Sequence, residues 1–482
     1  MLEMATRRSL LLLTLTISSA RIIGAFGFLQ LHAQSAVKSF HFGPRLDVAF
    51  RCSRLLSSKN NEECISSGDR AESEHIIGRD LKIVVVGKII IDKYGDPDDN
   101  ELGDDSAVTV GGGGPQAAWG AAAALAVRKM LQPMMPERNE QPDRSLPFQS
   151  RLGEINDNNP RLGEEGYTHS TSIPPKQPVT FLAPIGIKNW TPDKAHALDA
   201  LLLPVLENPP ILVSSYEHIT PTINIWHDKN EMVHWLPVDG SFGEGGADGL
   251  WQNRPSAKDI LDSLNSYEGD IVLHSIIESG CQPTGKGFDA LPLFDPDILK
   301  RTAAIGIEPI VFPDEGTEIV SQENGNAVLE LMKKVEYSMS SFCGENDSNK
   351  LMIVTPDRPC YDAACSTHSD ADKLCDKSSR LSKDVVVRNG ADGSFINEWS
   401  IPSATLRTTD GSPKNPTGAG NAYSAAFVAC RASGDTILDA ASLATAVGAA
   451  VCEHEHLPPW SWAVLERIAE AALEVRQKVK QK

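Results

Sequence analysis

The sequence predicts an α/β protein with a mostly parallel central sheet. Short β-branched apolar runs recur from residue 81 onward, and helical stretches rich in alanine alternate with them. Two of those helices open directly from glycine-rich turns, at 111–114 and 418–420. Such a turn lets the backbone approach a ligand closely. The helix that follows offers unpaired N–H groups and positive potential to an anion.

The chain starts with charge and then hydrophobicity. Arg7 and Arg8 precede the apolar run 9–17, which is too short to span a bilayer and has the form of a signal peptide. Gly24 and Ala25 mark a cleavage point before Phe26. The following segment sets Lys38, Arg45, Arg51 and Arg54 against the single acid Asp47, the composition of an organelle transit peptide. Residues 1–60 are therefore expected to be a targeting presequence, with a signal peptide over 1–25 and a transit-like part over 26–60. A plastid is the expected destination, and a plain secretory signal is the alternative. Residues 61–80 are polar and expected to form a disordered linker.

One domain with insertions is expected over 81–482. Residues 81–87 read as a strand, and Asp92 follows it. The glycine run 111–114 feeds a helix through Gln116, Trp119 and the alanines after it. Residues 132–177, rich in Pro, Asn, Glu and Ser, read as an inserted surface loop. Strands are expected at 179–186 and 211–213, and a hairpin at 222–226 and 232–235 around the turn residues 227–230. Residues 237–256 read as a Gly-rich loop. Residues 270–274 form a strand with His274 as a core histidine. The glycines of 280–287 come within one residue of a phosphate-binding loop but lack its hydroxyl and its helix, so they are read as coincidence. Residues 303–312 read as a strand, 325–335 as a helix and 351–355 as a strand leading to Asp357. Residues 358–380 read as loop. The strand at 384–388 ends in the turn Gly390–x–x–Gly393, and helices are expected over 436–452 and 460–479.

A net charge of −19 argues against a nucleic-acid partner, which would call for clustered Lys and Arg. Nine cysteines without paired spacing do not read as a disulfide framework, and no metal site is assigned. Nothing beyond the short N-terminal run suggests a stable membrane anchor.

Residues 415–423, Asn-Pro-Thr-Gly-Ala-Gly-Asn-Ala-Tyr, resemble the C-terminal signature of the ribokinase or PfkB-type carbohydrate kinases, Asp-Thr/Pro-Thr-Gly-Ala-Gly-Asp-Ser/Ala-Phe. Thr417, Gly418, Ala419 and Gly420 match unchanged. Asn415 and Asn421 stand where the family has Asp, the second being its catalytic base. The glycine run with Gln116 resembles the family's N-terminal Gly-Gly signature, and Asp92 has the spacing of its first substrate aspartate. Asp357 and Cys360 stand where the family has Asn and then Glu.

The resemblance implies a ribokinase-like three-layer sandwich with a small β-lid. It further implies ATP-dependent phosphoryl transfer, with Mg2+, to a hydroxyl of a small sugar, polyol or nucleoside. Gly418, Ala419 and Gly420 would form the anion hole, with Asn421 at the base position. Asp92, Gly112 and Gln116 would face the acceptor. Thr417, Gly390, Gly393 and Asp357 would serve the nucleotide. Two copies pairing through the lid are a further implication. The alternative is a catalytically weak or inactive relative that binds a ligand or partner. Restoring the base by Asn421→Asp is expected to raise turnover roughly 10²-fold.

Overall fold

The computed structural model describes residues 81–94, 108–131, 173–227, 233–238, 240, 247–252, 254–264, 267–278, 294–310, 322–342, 350–365, 382–397 and 399–481. The presequence, the linker, most of the 132–177 insertion and the 280–287 glycines lie outside the described residues.

In chain order, the strands β1 (Lys82–Val86), β2 (Ile90–Tyr94) and β3 (Val108–Gly111) lead into α1 (Gly113–Leu131). β4 (Val179–Gly186), α2 (Pro192–Leu202), β5 (Ile211–Ser215), β6 (Thr222–His227) and β7 (Val233–Pro237) follow. The middle of the chain holds α3 (Ala247–Gln252), α4 (Ala257–Ser263), β8 (Ile271–Glu278), α5 (Pro296–Arg301), β9 (Thr302–Ile310) and α6 (Gln322–Phe342). Then come β10 (Leu351–Val354), α7 (Arg358–Ala364), β11 (Ser382–Val385), β12 (Val387–Arg388), β13 (Ser394–Ile396) and β14 (Trp399–Ile401). The chain closes with α8 (Ala419–Ala432), α9 (Ile437–Cys452), α10 (Trp462–Lys478) and β15 (Lys480–Gln481).

Seven strands form one wholly parallel sheet in the order β11-β10-β9-β8-β1-β4-β5. All five residues of β1 are buried, as a strand covered on both faces requires. Alternate residues feed two separate cores, because successive side chains point to opposite faces. Ile83 and Val85 join the face covered by α1, α8, α9 and α10, whereas Val84 and Val86 join the face covered by α3 to α7. The result is the expected three-layer sandwich.

The lid is a separate four-stranded sheet, β3-β2-β6-β7. The expected hairpin is its β6–β7 pair, in the register Ile223↔Pro237 to His227↔Val233. A third small sheet, β12-β13-β14-β15, is antiparallel and was not foreseen.

Two loop expectations need correction. Residues 247–252 form α3, which buries Leu250 and Trp251 in the sheet face. Residues 358–364 form α7, capped by Asp357 and started by Pro359. Both helices are short enough to leave little periodicity. Among the described residues, no helix is long and apolar enough to cross a membrane.

The pairing of α1 with α8 positions the site. Both are built from small residues, and Ala117 to Val127 of α1 are all buried. A Cβ on Gly120 would lie 2.6 Å from Ala422 Cα and 2.8 Å from Ala422 C. Backbone cannot yield as a side chain can, so Gly120→Ala is expected to cost about 1–3 kcal/mol. Arg128 locks the far end of α1. Its Nε pairs with Asp435 Oδ1 at 2.8 Å, and its Nη2 donates to Ser433 O at 2.7 Å. The two helices therefore run side by side, and their N-termini lie together at the carboxyl edge of the sheet.

Candidate active site

The second glycine turn behaves as its sequence suggests. Gly418 caps α8 with φ of 82°, a left-handed conformation that glycine adopts without strain. No side chain caps this helix, and its first turn holds no acid. Ala419 N donates to Pro416 O at 3.2 Å, and no side chain caps the N–H groups of Gly420 and Asn421, which face an incoming anion. Asn415 holds the approach to the turn. Its Oδ1 accepts from Thr417 N at 3.0 Å, and its Nδ2 donates to Glu455 O at 2.9 Å. An asparagine suits this double role, because one amide both donates and accepts.

The first glycine turn meets the second. Gly112 has φ of 95°, and a Cβ there would lie 2.6 Å from Ile90 N. Four residues later Gln116 lies so close to Gly418 that any Cβ on Gly418 would overlap its amide. Gln116 Oε1 is buried and makes no hydrogen bond among the described residues. It therefore presents an unsatisfied acceptor beside the anion site.

Gln116 borders a cavity of about 220 Å³, whose lining includes neither Gly418 nor Gly112, the latter expected to face the acceptor. Asp92 and Thr109 of the lid, Gln116, Asn415, Thr417, His454, Glu455 and His456 supply its polar lining. Leu201 of α2 and Val451 and Leu457 around the end of α9 supply apolar wall. The volume is below that of a drug-sized site, so it suits a small ligand. Burial pushes the Asp92 carboxyl up from 3.8 to about 7. Gly111, its lid neighbour, has no side chain, and a Cβ there would collide with the carboxylate.

Asn421 is not in that lining. It lies against the start of α1, where a Cβ on Gly113 would sit 2.8 Å from Asn421 Nδ2. Its Nδ2 donates to Glu308 Oε1 at 3.0 Å. The same oxygen pairs with Arg388 Nη1 at 2.9 Å. Glu308 is completely buried, and its Oε2 stands 3.5 Å from Nε2 of the equally buried His274. Arg388 Nε also donates to Thr355 O at 3.0 Å, and its guanidinium packs against Gly420. The result is a group of four side chains, His274 of β8 and Glu308 of β9 fully buried and Arg388 of β12 and Asn421 of α8 half-buried, under the helix N-terminus.

Neither Asp392 nor Glu453, the acids nearest the motifs in sequence, joins it. Asp392 accepts from Asn389 Nδ2 at 3.1 Å. Glu453 Oε1 accepts from Arg407 N and pairs with Arg467 Nη2, each at 2.8 Å. Sequence reasoning passed over Glu308 and Arg388 as strand residues. The available signal was a carboxylate before a proline inside an apolar strand.

Gly390 and Gly393, expected to serve the nucleotide, shape the turn after β12, both at positive φ. The turn is closed by Asn389 N donating to Gly393 O at 2.8 Å. Arg388 N donates to Pro356 O at 2.9 Å, which sets this turn beside Asp357. Asp357 Oδ1 accepts from Cys360 N at 2.9 Å as the cap of α7. One carboxylate oxygen therefore has a structural task. Burial, reinforced by the Asp357 charge, pushes the Cys360 thiol up to about 12, so it stays protonated at neutral pH. No group of three His, Cys, Asp or Glu among the described residues is arranged to hold a metal ion.

Residues 352–458, from β10 through the start of α8 to the cavity wall, match the model of the pfkB family carbohydrate kinases. Solved structures of similar fold include a nucleoside kinase of Methanocaldococcus jannaschii, an archaeal member of the ribokinase family. It is 17% identical, with 82% of this chain and 99% of that chain covered and a TM-score of 0.42. Ribokinase of Arabidopsis thaliana, solved with ribose and ATP, is 12% identical over 82% and 99%, with a TM-score of 0.40. Phosphofructokinase-2 of Escherichia coli is 13% identical over 82% and 99%, with a TM-score of 0.45. No curated protein sequence matches the chain.

Proposed function

We propose that the chain transfers the γ-phosphoryl group of ATP to a hydroxyl of a small sugar, polyol or nucleoside. The observation that carries this is the meeting of Gln116 with Gly418. It brings an acceptor-sized cavity and a backbone anion site to one place. The acceptor would lie against Asp92 and Gln116 under the lid, and its hydroxyls would satisfy the buried Gln116 Oε1.

ATP fits the donor side. Gly418 and Gly420 leave the first turn of α8 open to phosphate oxygens, and no acid in that turn repels them. The turn at Gly390 and Gly393 would support the nucleotide. Mg2+ when bound would offset the charge of the phosphates, and Asp357 is the residue that would help to hold it. The residues fit such an ion only thinly. Asp357 has one oxygen beyond its capping bond, which accords with magnesium held mainly by phosphates and water. The protein's contribution is then positioning and preorganised N–H groups, which suits a loose phosphoryl-transfer transition state.

The catalytically weak alternative is favoured by one specific observation. Asn421 and a protonated Cys360 replace two charges at functional positions of the family. Purified protein with ATP, Mg2+ and a panel of sugars, polyols and nucleosides separates the two readings. Acceptor-dependent ADP formation supports the kinase. An ATP-induced thermal shift without turnover supports the binding protein. The edge strands β3 and β7 of the lid support the oligomeric part of the proposal, two copies pairing edge to edge.

A further inference from the structure

We propose that Glu308 supplies the negative charge of this site, and that it works through Asn421 as a carboxylate–carboxamide pair. The inference rests on the kinase reading above and deepens it. Its first support is direction. A carboxylate only accepts hydrogen bonds, so the 3.0 Å contact commits the amide nitrogen of Asn421 to Glu308. Asn421 Oδ1 is then the atom left to accept, and the reading requires the acceptor hydroxyl to reach it from the cavity, whose lining does not include Asn421. Its second support is burial. Glu308 has no access to solvent, and its Oε2 makes no hydrogen bond among the described residues, with His274 Nε2 at 3.5 Å. A fully buried carboxylate with one oxygen unsatisfied is costly to keep. Stability alone does not explain why a strand that is otherwise apolar from Ala303 to Ile307 carries it.

The arrangement separates two tasks that one aspartate at the helix start would combine. Glu308 holds the charge, balanced by Arg388 Nη1 at 2.9 Å. Asn421 orients the hydroxyl. Glu308 is therefore a positioning residue. In the reaction, the acceptor oxygen forms a bond to the γ-phosphorus. The bond from that phosphorus to the bridging oxygen breaks, and its electron pair leaves on ADP. The hydroxyl proton passes late, to a phosphoryl oxygen or to water, as a loose transition state permits.

The pair also alters what Asn421→Asp should do. That change sets a second carboxylate against Glu308, where two like charges cannot both ionise cheaply. The decisive experiment is a swap cycle, measured as phosphate or ADP release from Mg·ATP with the acceptor panel and as melting of the apo protein. Glu308→Gln should lower turnover about 10²-fold with the ATP KM changed less than about threefold. Asn421→Asp alone should give no gain. The double variant Asn421→Asp with Glu308→Gln keeps the hydrogen bond, reverses its direction and moves the charge to the helix start. It should regain at least the unsubstituted turnover, and its melting temperature should recover over both single variants.

Glu308→Gln with full turnover would overturn the assignment, as would a double variant as slow as Glu308→Gln. Turnover absent from the unsubstituted protein would instead sink the kinase reading and this inference with it. Loss of the variants alone is therefore distinguishable from loss of the activity. Should Glu308→Gln fail to fold, the double variant still decides by its own turnover.

Discussion

Removing the lid carboxylate by Asp92→Asn should make the apo protein more stable and the enzyme worse. Asp92 is held at about 7 against 3.8 for an ordinary aspartate, because burial disfavours its charged form. The folded state therefore holds a proton that the unfolded state has already released between those two values. Stability falls as pH rises through that window and levels off above about 7. Each unit corresponds to about 1.4 kcal/mol. The cost works out at about 2 kcal/mol at pH 5 and about 4 kcal/mol at pH 8. Asparagine carries no charge to desolvate, so Asp92→Asn should melt higher than the unsubstituted protein, by roughly 2 °C per kcal/mol. The advantage should about double from pH 5 to pH 8. The acceptor KM should rise about tenfold or more, since a hydrogen bond to a charged group contributes roughly 1.5–3 kcal/mol. The assay is thermal denaturation at both pH values, with acceptor titration at saturating ATP. A variant that melts lower at pH 8, or a difference that does not change with pH, would refute the reasoning.

Gly420→Val should abolish any ATP-induced thermal shift, because a side chain there runs into the Arg388 guanidinium and crowds the first-turn amides; an unchanged shift would place ATP elsewhere. The acceptor should carry no phosphate, since the described cavity lining contains Asp92 and Glu455 but neither Lys nor Arg. Sugars should then exceed their phosphates in kcat/KM by about 10²-fold or more, as a phosphate would face the buried Asp92 with neither Lys nor Arg in the described lining to offset it, and a preference for fructose 6-phosphate would disprove it. A reporter carrying residues 1–60 should reach a plastid in a cell that has one, with first cleavage before Phe26; cytosolic retention would discard that reading.

The glycine turn that opens α8 was legible in the sequence because it is local. A tight turn, an open helix start and small residues are properties of consecutive positions, and 418–420 show all three. The lid hairpin was legible for the same reason, in the alternating strands and turn residues of 222–235. The short helix α7 left a trace in Asp357 and Pro359, a cap and a first-turn proline, but its seven residues are too few to show periodicity.

What the chain's order could not reveal is which distant residues share a face. Glu308 and Asn421 are 113 positions apart. They meet because β9 lies between β8 and β10 and because α8 packs on that sheet beside α1. Strand order is set by the packing of whole layers, and no stretch of sequence encodes it locally. The sequence by itself therefore determined the α/β class, the glycine turns and the missing aspartate at 421. Only the tertiary structure decided that a carboxylate from a different strand, Glu308, stands against Asn421. Side-chain chemistry is written residue by residue, but the distance between two side chains exists only once the sheet has closed around them.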